Sequence, residues 1–490
     1  MDFLDPNKKR NHSRRLMLGY ALMAIAVGLA SIILLFVAYG YDLDRKTGKV
    51  IQNGLMFVNA HPEAANVIVN GKDTGKTDAR LVLPAGEYTI ELRRDGYRSW
   101  KRTINLEGSS IERLIYPVLF PNKLTSKELQ TYAGIPAMTT QSPDRRWVLL
   151  QQLGTIQRFD ELDTTNPKSS IITLSLPDGL LTASKDDRGL LPVEWSTDNS
   201  HVLIKHSFAD KTEFIIFDRE TPASSVNLNK QFSVDPTLVS LRDKKYDQYY
   251  IYDEKDLSLK NADLKAKTIS PLMSGVTKFK PYKSDTVLYA AKDTADPNKL
   301  SVHIREATKD YIVGSLPAAT PALLDIAEYD NHTYVVMASA TSGAISIFRD
   351  PVDQLKTNPK KVPVVYSLLK LDGVSTISFS ATAQFIAAQH SNHFALYDFE
   401  ANRRYVYDMP FSISADSPAT WMDGNRMLAN VDNKLNVFDF NGINLQTLVP
   451  MASGTKPFFD RDYVRLFTLS PSAIAGKNAV QYTSLKVGQQ

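Results

Sequence analysis

The sequence predicts an all-β chain behind one apolar helix: an N-terminal transmembrane segment, a small β-sandwich, then a larger domain of repeated β-meanders. Three observations carry this. Residues 16–41 contain no charge, and β-branched runs then alternate with Asn-Gly and Asp-Gly turns as far as residue 120. Beyond about residue 134, an alternating strand ending in an aromatic residue returns every 41–58 residues.

The apolar run Leu16–Tyr41 is 26 residues long. At helical rise it spans about 39 Å, enough to cross a bilayer core with some tilt. Lys8, Lys9, Arg10, Arg14 and Arg15 precede it, whereas Asp42 and Asp44 follow. Basic residues stay on the cytoplasmic side, so residues 1–15 form a cytoplasmic tail and everything after Tyr41 is exported. A cleavable signal peptide has a shorter apolar core and a small-x-small site, which Ala38-Tyr39-Gly40 does not match. The expected location is therefore the cell membrane, single-pass, with the run itself as the contact with lipid. Ala21, Ala24, Gly28 and Ser31 lie on one helical face, where small residues permit homo-oligomeric contact.

Charge and cysteine narrow the function classes. Removing the five basic and two acidic residues of the tail from the chain's 57 and 53 leaves 52 basic against 51 acidic. The exported part is nearly neutral, so nucleic acid is not an expected partner. With no cysteine, disulfides, thiolate metal sites and a cysteine nucleophile are excluded. Export without disulfides points to a bacterial envelope.

Residues 49–120 read as an antiparallel β-sandwich. Leu55–Val58, Val67–Val69, Leu81–Leu83 and Tyr88–Leu92 are strand-like, and Asn70-Gly71 and Asp95-Gly96 supply tight turns. Asp42–Gly48 superficially has calcium-loop acids, but Arg45 and Lys46 inside it make a hairpin turn the better reading. The order Pro62-Glu63-Ala64-Ala65, Val67-Ile68-Val69-Asn70-Gly71-Lys72, Leu83-Pro84-Ala85-Gly86-Glu87-Tyr88 and Asp95-Gly96-Tyr97 resembles a PEGA domain. The resemblance implies a surface or envelope module for binding or spacing, without catalysis. Residue 64 is Ala where that motif has Gly, so negative φ is expected there. Tyr97 and Trp100 are expected in the core, with Arg93, Arg94 and Arg98 on the solvated face. Residues 121–137 read as a linker or short helix.

Residues 138–490 carry the repeat. Markers at Phe159, Phe217, Lys260, His303, Phe348, Tyr397, Phe438 and Tyr482 are separated by 58, 43, 43, 45, 49, 41 and 44 residues. Polar turns feed apolar strands ahead of several markers, as in Trp195-Ser196-Thr197-Asp198 before Val202 and Trp421-Met422-Asp423-Gly424 before Met427. The apolar period of two excludes a helical solenoid. A meander of this length cannot bury its own faces and must stack radially on its neighbours. The unit resembles the blade of a WD40-like or TolB-like β-propeller. Eight markers predict eight blades, or seven if Leu257–Asp263 is an insertion. A strand near Leu129–Tyr132 is a candidate to complete the last blade.

No Gly-x-Ser-x-Gly, His-Glu-x-x-His or phosphate-binding loop occurs. His390 with His393, and His201 with His206, are the conceivable metal pairs. Asp160, Glu161 and Asp163, and Asp186 with Asp187, are the conceivable carboxylate pairs for glycoside chemistry. Asp218, Asp398 and Asp439 recur at one repeat position, as turn acceptors do. No cofactor and no catalytic residue is expected. The expected function is binding of an envelope protein or glycan outside the cytoplasm, and the rival is a propeller hydrolase or lyase acting on surface polysaccharide.

Overall fold

The computed structural model describes residues 6–43, 50–283, 285–359 and 361–488, and they form two compact units divided between Lys123 and Leu124. The first unit opens with a helix, Pro6–Ala38. Its stretch His12–Ala38 is long and apolar enough to cross a bilayer, and none of it is buried. Gly40 ends the helix at φ +75°, the left-handed geometry that favours glycine after a helix, with its N–H on the Val37 carbonyl at 3.0 Å.

Two four-stranded sheets then form the sandwich. In one, Val50–Val58 pairs with Tyr41–Leu43 and Ala79–Pro84, and also with Ile111–Leu114. That last pairing is parallel, so the sandwich is mixed and not wholly antiparallel. Of the expected hairpin turn Asp42–Gly48, residues 44–48 lie outside the described residues. The other sheet runs Lys72–Lys76, Asn66–Val69, Gly86–Arg93, Trp100–Leu106. Met56, Val58, Val67, Ile90, Leu92, Trp100 and Leu114 fill the space between the two sheets.

One sequence expectation fails here: Ala64 has φ +61°, not a negative value. The motif's backbone turn is kept although its glycine is gone. Ala64 is exposed, so its Cβ meets only the backbone penalty of the left-handed region, about 1 kcal/mol.

The second unit holds eight four-stranded antiparallel sheets among the described residues, seven of them sequential meanders. The first is Thr139–Gln141, Trp147–Gln151, Arg158–Asp163, Ile172–Ser175. Each of the eight sequence markers falls on the third strand of a different sheet, and Leu257–Asp263 supplies one such strand instead of an insertion. The eighth sheet takes Phe458–Phe459, Arg465–Pro471 and Asn478–Ser484 from one end of the domain and Ser126–Tyr132 from the other. Residues 126–132 are therefore a strand: the linker or short-helix reading of this stretch fails, and the candidate strand near Leu129–Tyr132 does complete the last sheet. Leu129 and Tyr132 pack on the eighth-to-first junction, while Lys127, Glu128 and Gln130 are exposed.

The sheets close into a ring: a β-propeller. Neighbouring sheets share apolar clusters, including one that joins the eighth sheet to the first through Tyr132, Val148, Leu150, Phe467 and Val480. A polar belt links the first strands and their turns around the whole circuit. Trp195 Nε1 donates to Thr140 Oγ1 (2.8 Å), Ser240 Oγ to Glu194 (2.6 Å), and Arg242 pairs with Asp285. Lys280 pairs with Asp325 (3.1 Å), which also accepts from the Phe379 N–H (3.2 Å). Trp421 Nε1 donates to Ser378 Oγ (3.1 Å), Tyr463 to the Met422 carbonyl (2.8 Å), and Gln141 Nε2 to the Phe459 carbonyl (2.8 Å). The two tryptophans of the aromatic-turn motif thus act as donors between blades.

Candidate functional site

The fifth sheet departs from the common pattern. Its third and fourth strands, Ala344–Arg349 and Val365–Lys370, are separated by a fifteen-residue connection that contains a helix, Pro351–Thr357. Asp350 precedes Pro351, whose ring fixes φ for a first helical turn. The Asp350 carboxylate accepts from the Thr333 N–H (2.8 Å) and meets His332 Nδ1 (2.5 Å), which fixes the helix start to the second strand. Val352 and Leu355 are buried under the helix, and Lys356 reaches Glu306 of the fourth sheet (2.9 Å). Gln354 holds the returning chain: its Nε2 donates to the Arg349 carbonyl (2.8 Å), and its Oε1 accepts from the Val364 N–H (2.9 Å).

Between helix and returning chain lies an open groove of about 520 Å³, with Arg349, Asp353 and Lys361 at its polar side and Val362 and Val364 at its apolar side. Val362 is 75% exposed and Val364 71%, and the exposed apolar run continues through Val365 and Leu368. Val365–Lys370 is the outer strand of its sheet, paired on one side with Ala344–Arg349. A bulge at Tyr366 and Lys370 at the end are what blunt this edge. Sequence reading missed the groove. Its available signals were the Asp350-Pro351 helix start and the 49-residue step between Phe348 and Tyr397.

The residues singled out by sequence occupy other places. His390 and His393 stack with ring centroids 6.5 Å apart, and His393 is taken by Asp408 (2.7 Å). His201 bonds Asp198 (2.7 Å) and stacks on Tyr246. Among the described residues no three His, Cys, Asp or Glu side chains group as metal ligands. The carboxylates are engaged separately. Asp160 accepts from Tyr132 (2.8 Å) and Gln152 (2.6 Å), Glu161 from Arg219 (3.1 Å), and Asp163 from Arg146 (2.9 Å). Adjacent strand residues point to opposite faces, so Asp160 and Glu161 do not converge. Asp186 pairs with Arg188 (3.2 Å), and Asp187 lies 3.4 Å from His206 Nε2. Asp218 and Asp398 accept the N–H groups two and three residues ahead, and Asp439 accepts from Asn444, as turn acceptors do. In the sandwich, Tyr97 and Trp100 are core residues, Arg93 is exposed on Glu91, and Arg98 is half-buried.

His206, paired above with His201 as a conceivable metal site, instead meets a different carboxylate from His201 and belongs to a buried polar cluster. His206, fully buried in the second sheet, directs Nδ1 at Glu213 (2.8 Å). Burial by itself raises a carboxyl pKa, but bonds from His206, the Thr182 N–H, Asn227 and the Thr182 hydroxyl outweigh it and hold Glu213 at about 2. The donors come from three segments, so the anion, itself on the third strand, ties the second and fourth strands of the second sheet to the loop that carries Thr182.

Comparison with known proteins gives the following. The PEGA domain family matches residues 53–115. No curated protein matches the chain. Among solved structures, the Cps50 (Swd1) β-propeller domain of Myceliophteria thermophila is 11% identical, covers 74% of this chain and 100% of its own, and has a TM-score of 0.38. Kluyveromyces lactis Hsv2 is 12% identical over 65% of this chain and 98% of its own, with a TM-score of 0.40. Oligogalacturonate lyase from Vibrio parahaemolyticus is 9% identical over 75% and 98%, with a TM-score of 0.37. The propeller assignment rests on strand order and ring contacts in this chain, not on likenesses of this strength.

Proposed function

We propose that this chain is a non-catalytic display protein of a bacterial cell envelope. Its apolar helix spans the membrane with the N-terminus in the cytoplasm, and the sandwich and propeller lie outside. The fifth sheet's groove receives an extended segment of a protein partner. The observation that carries this reading is the exposed apolar run Val362, Val364, Val365, Leu368 along an outer strand beside an open groove. An extended segment adds main-chain bonds at such an edge and side-chain contacts in the groove. Aliphatic side chains there suit a protein better than a glycan, whose hydroxyls need polar partners.

The test places a photo-crosslinker at Val364, and at exposed Val406 of the sixth sheet as control, in the full chain in intact cells. The expected result is a discrete protein adduct from position 364, absent from position 406 and abolished by Val365→Lys. Equal adducts at both positions, or cleavage of purified surface polysaccharide by the isolated chain, overturn the proposal; the latter outcome establishes the hydrolase or lyase reading.

A further inference from the structure

The outer face of one sandwich sheet exposes an ordered apolar row beside a cationic one. Register places Leu55 opposite both Val82 and Ile111, and Phe57 opposite both Arg80 and Arg113. Alternate residues of the same strands, Met56, Val58, Leu81 and Leu114, face the core. The first row is therefore a solvent-side strip of three aliphatic side chains, with Val82 60% and Ile111 57% exposed. The second row sets exposed arginines on either side of half-buried Phe57.

This face opens directly on the end of the apolar helix. Val37, Ala38, Tyr39, Leu55, Val82 and Ile111 line one cleft. The Asn53 N–H donates to the Gly40 carbonyl (2.7 Å), and Gln52 Nε2 reaches Ser109 Oγ (2.6 Å), whose hydroxyl in turn bonds the Tyr39 carbonyl. The helix is thereby joined to the sheet two residues after Ala38, with no intervening linker. Leu55 lies two residues beyond the Asn53 contact, about 7 Å at strand rise, and Phe57 about 14 Å. The headgroup layer on each side of a bilayer core is roughly 5–8 Å thick. If the helix ends at the core boundary, the aliphatic row lies within about that thickness at any tilt.

We infer that this sheet face rests on the bilayer surface. Leu55, Val82 and Ile111 sit at the headgroup–acyl boundary beside Tyr39 and Tyr41, and Arg80 and Arg113 meet lipid phosphates one row further out. Tyrosines at the helix exit are suited to that depth. The sandwich is then a foot that holds the chain against the membrane as well as a spacer. This inference rests on the helix spanning a membrane.

Because the chain has no cysteine, single-cysteine labelling is free of background. The full chain carrying Val82→Cys, Ile111→Cys, Ile25→Cys or Glu87→Cys is labelled with an environment-sensitive fluorophore and reconstituted in phosphatidylcholine–phosphatidylglycerol vesicles. Quenching is read with spin labels placed shallow or deep on the lipid chains. Glu87 is exposed on the other sheet and serves as the outward control. The expected result is shallow quenching at 82 and 111 several times that at 87, deep quenching at 25, and a marked loss at 82 when Arg80→Glu and Arg113→Glu are added. Deep quenching at 25 with 82 and 111 no different from 87 overturns the foot and leaves the span standing. Loss of quenching at 25 overturns both. A fluorophore at 82 that is shielded from water yet quenched from the lipid no more than at 87 means that protein covers the face, and also overturns the foot.

Discussion

Arg219 offers a quantitative test of how the first two blades are held together. Its guanidinium stacks 4.1 Å above Trp147, donates Nε to the Asn199 carbonyl at 2.9 Å, and pairs with Glu161 at 3.1 Å. Both charged partners are buried, at 8% and 6% exposure. Burial pushes the Glu161 carboxyl up, and Arg219 only partly pulls it back. The pair therefore returns less than its desolvation costs, and its members should be individually indispensable yet jointly replaceable. Arg219→Met leaves a buried, unpaired carboxylate and should cost about 3–5 kcal/mol. Unfolding entropy of about 2.1 cal/mol/K per residue gives roughly 0.8 kcal/mol/K for this unit, so its melting transition should fall by about 4–6 °C. Adding Glu161→Leu should recover most of that, leaving about 1–2 kcal/mol for the lost Asn199 bond. Calorimetry of the propeller transition in the detergent-solubilised chain reads both. The sign with pH is also fixed. A carboxyl whose folded pKa is raised loses stability as pH climbs through that value, so the Arg219→Met deficit should shrink on acidification from neutral pH toward the ordinary carboxylate range. Refutation would be a double variant as unstable as the two single losses added together, or a single variant that melts with the wild type.

Three other perturbations have defined outcomes. Glu213 titrates at about 2 against an ordinary 4.5, so its contribution, roughly 3 kcal/mol, is complete above pH 4.5 and is lost as pH falls toward 2. Glu213→Gln should remove that segment of the acid dependence of the propeller melting curve. Ala64→Gly relieves the left-handed strain and should stabilise the sandwich by about 0.5–1 kcal/mol, measured by denaturant unfolding followed through the buried Trp100. Tyr132→Phe removes one donor to Asp160, which keeps Gln152 and Thr173; the expected cost is about 1 kcal/mol in the same calorimetric transition.

What the sequence disclosed follows from which contacts have a period. Third strands such as Phe214-Ile215-Ile216-Phe217 are buried on both faces between blades, and so read as apolar runs closing on an aromatic residue. Trp195 and Trp421 were legible for a similar reason, since a large ring at a blade junction tolerates few substitutes. Outer strands were harder to read: Ile172–Ser175 exposes three of its four side chains, and Ser126–Tyr132, with Lys127, Glu128 and Gln130 exposed, was legible only as a candidate strand near Leu129–Tyr132. Ala64 shows a second limit: a backbone turn fixed by its surroundings holds φ +61° even where the side chain argues otherwise. The candidate groove was hidden because its helix is a single insertion, and one insertion has no repeat to betray it. Carboxylates close in sequence suggested convergence, yet strand alternation sent Asp160 and Glu161 to different partners.

The shared eighth sheet also dictates when the ring can exist. Ser126 Oγ and Thr483 Oγ1 meet at 2.7 Å across 357 positions of chain, and every backbone bond of that seam has a similar span. During synthesis the strand 126–132 emerges first and must wait, edge unpaired, until residues 478–484 follow it. Seven meanders are able to form while it waits, but none of them completes the circle. Closure is thus a single late event with a large loop entropy behind it, slow in comparison with the local hairpins. An interruption of synthesis shortly before residue 478 yields a chain of well-formed blades with two open flanks, a natural substrate for chaperones and proteases that recognise exposed strand edges.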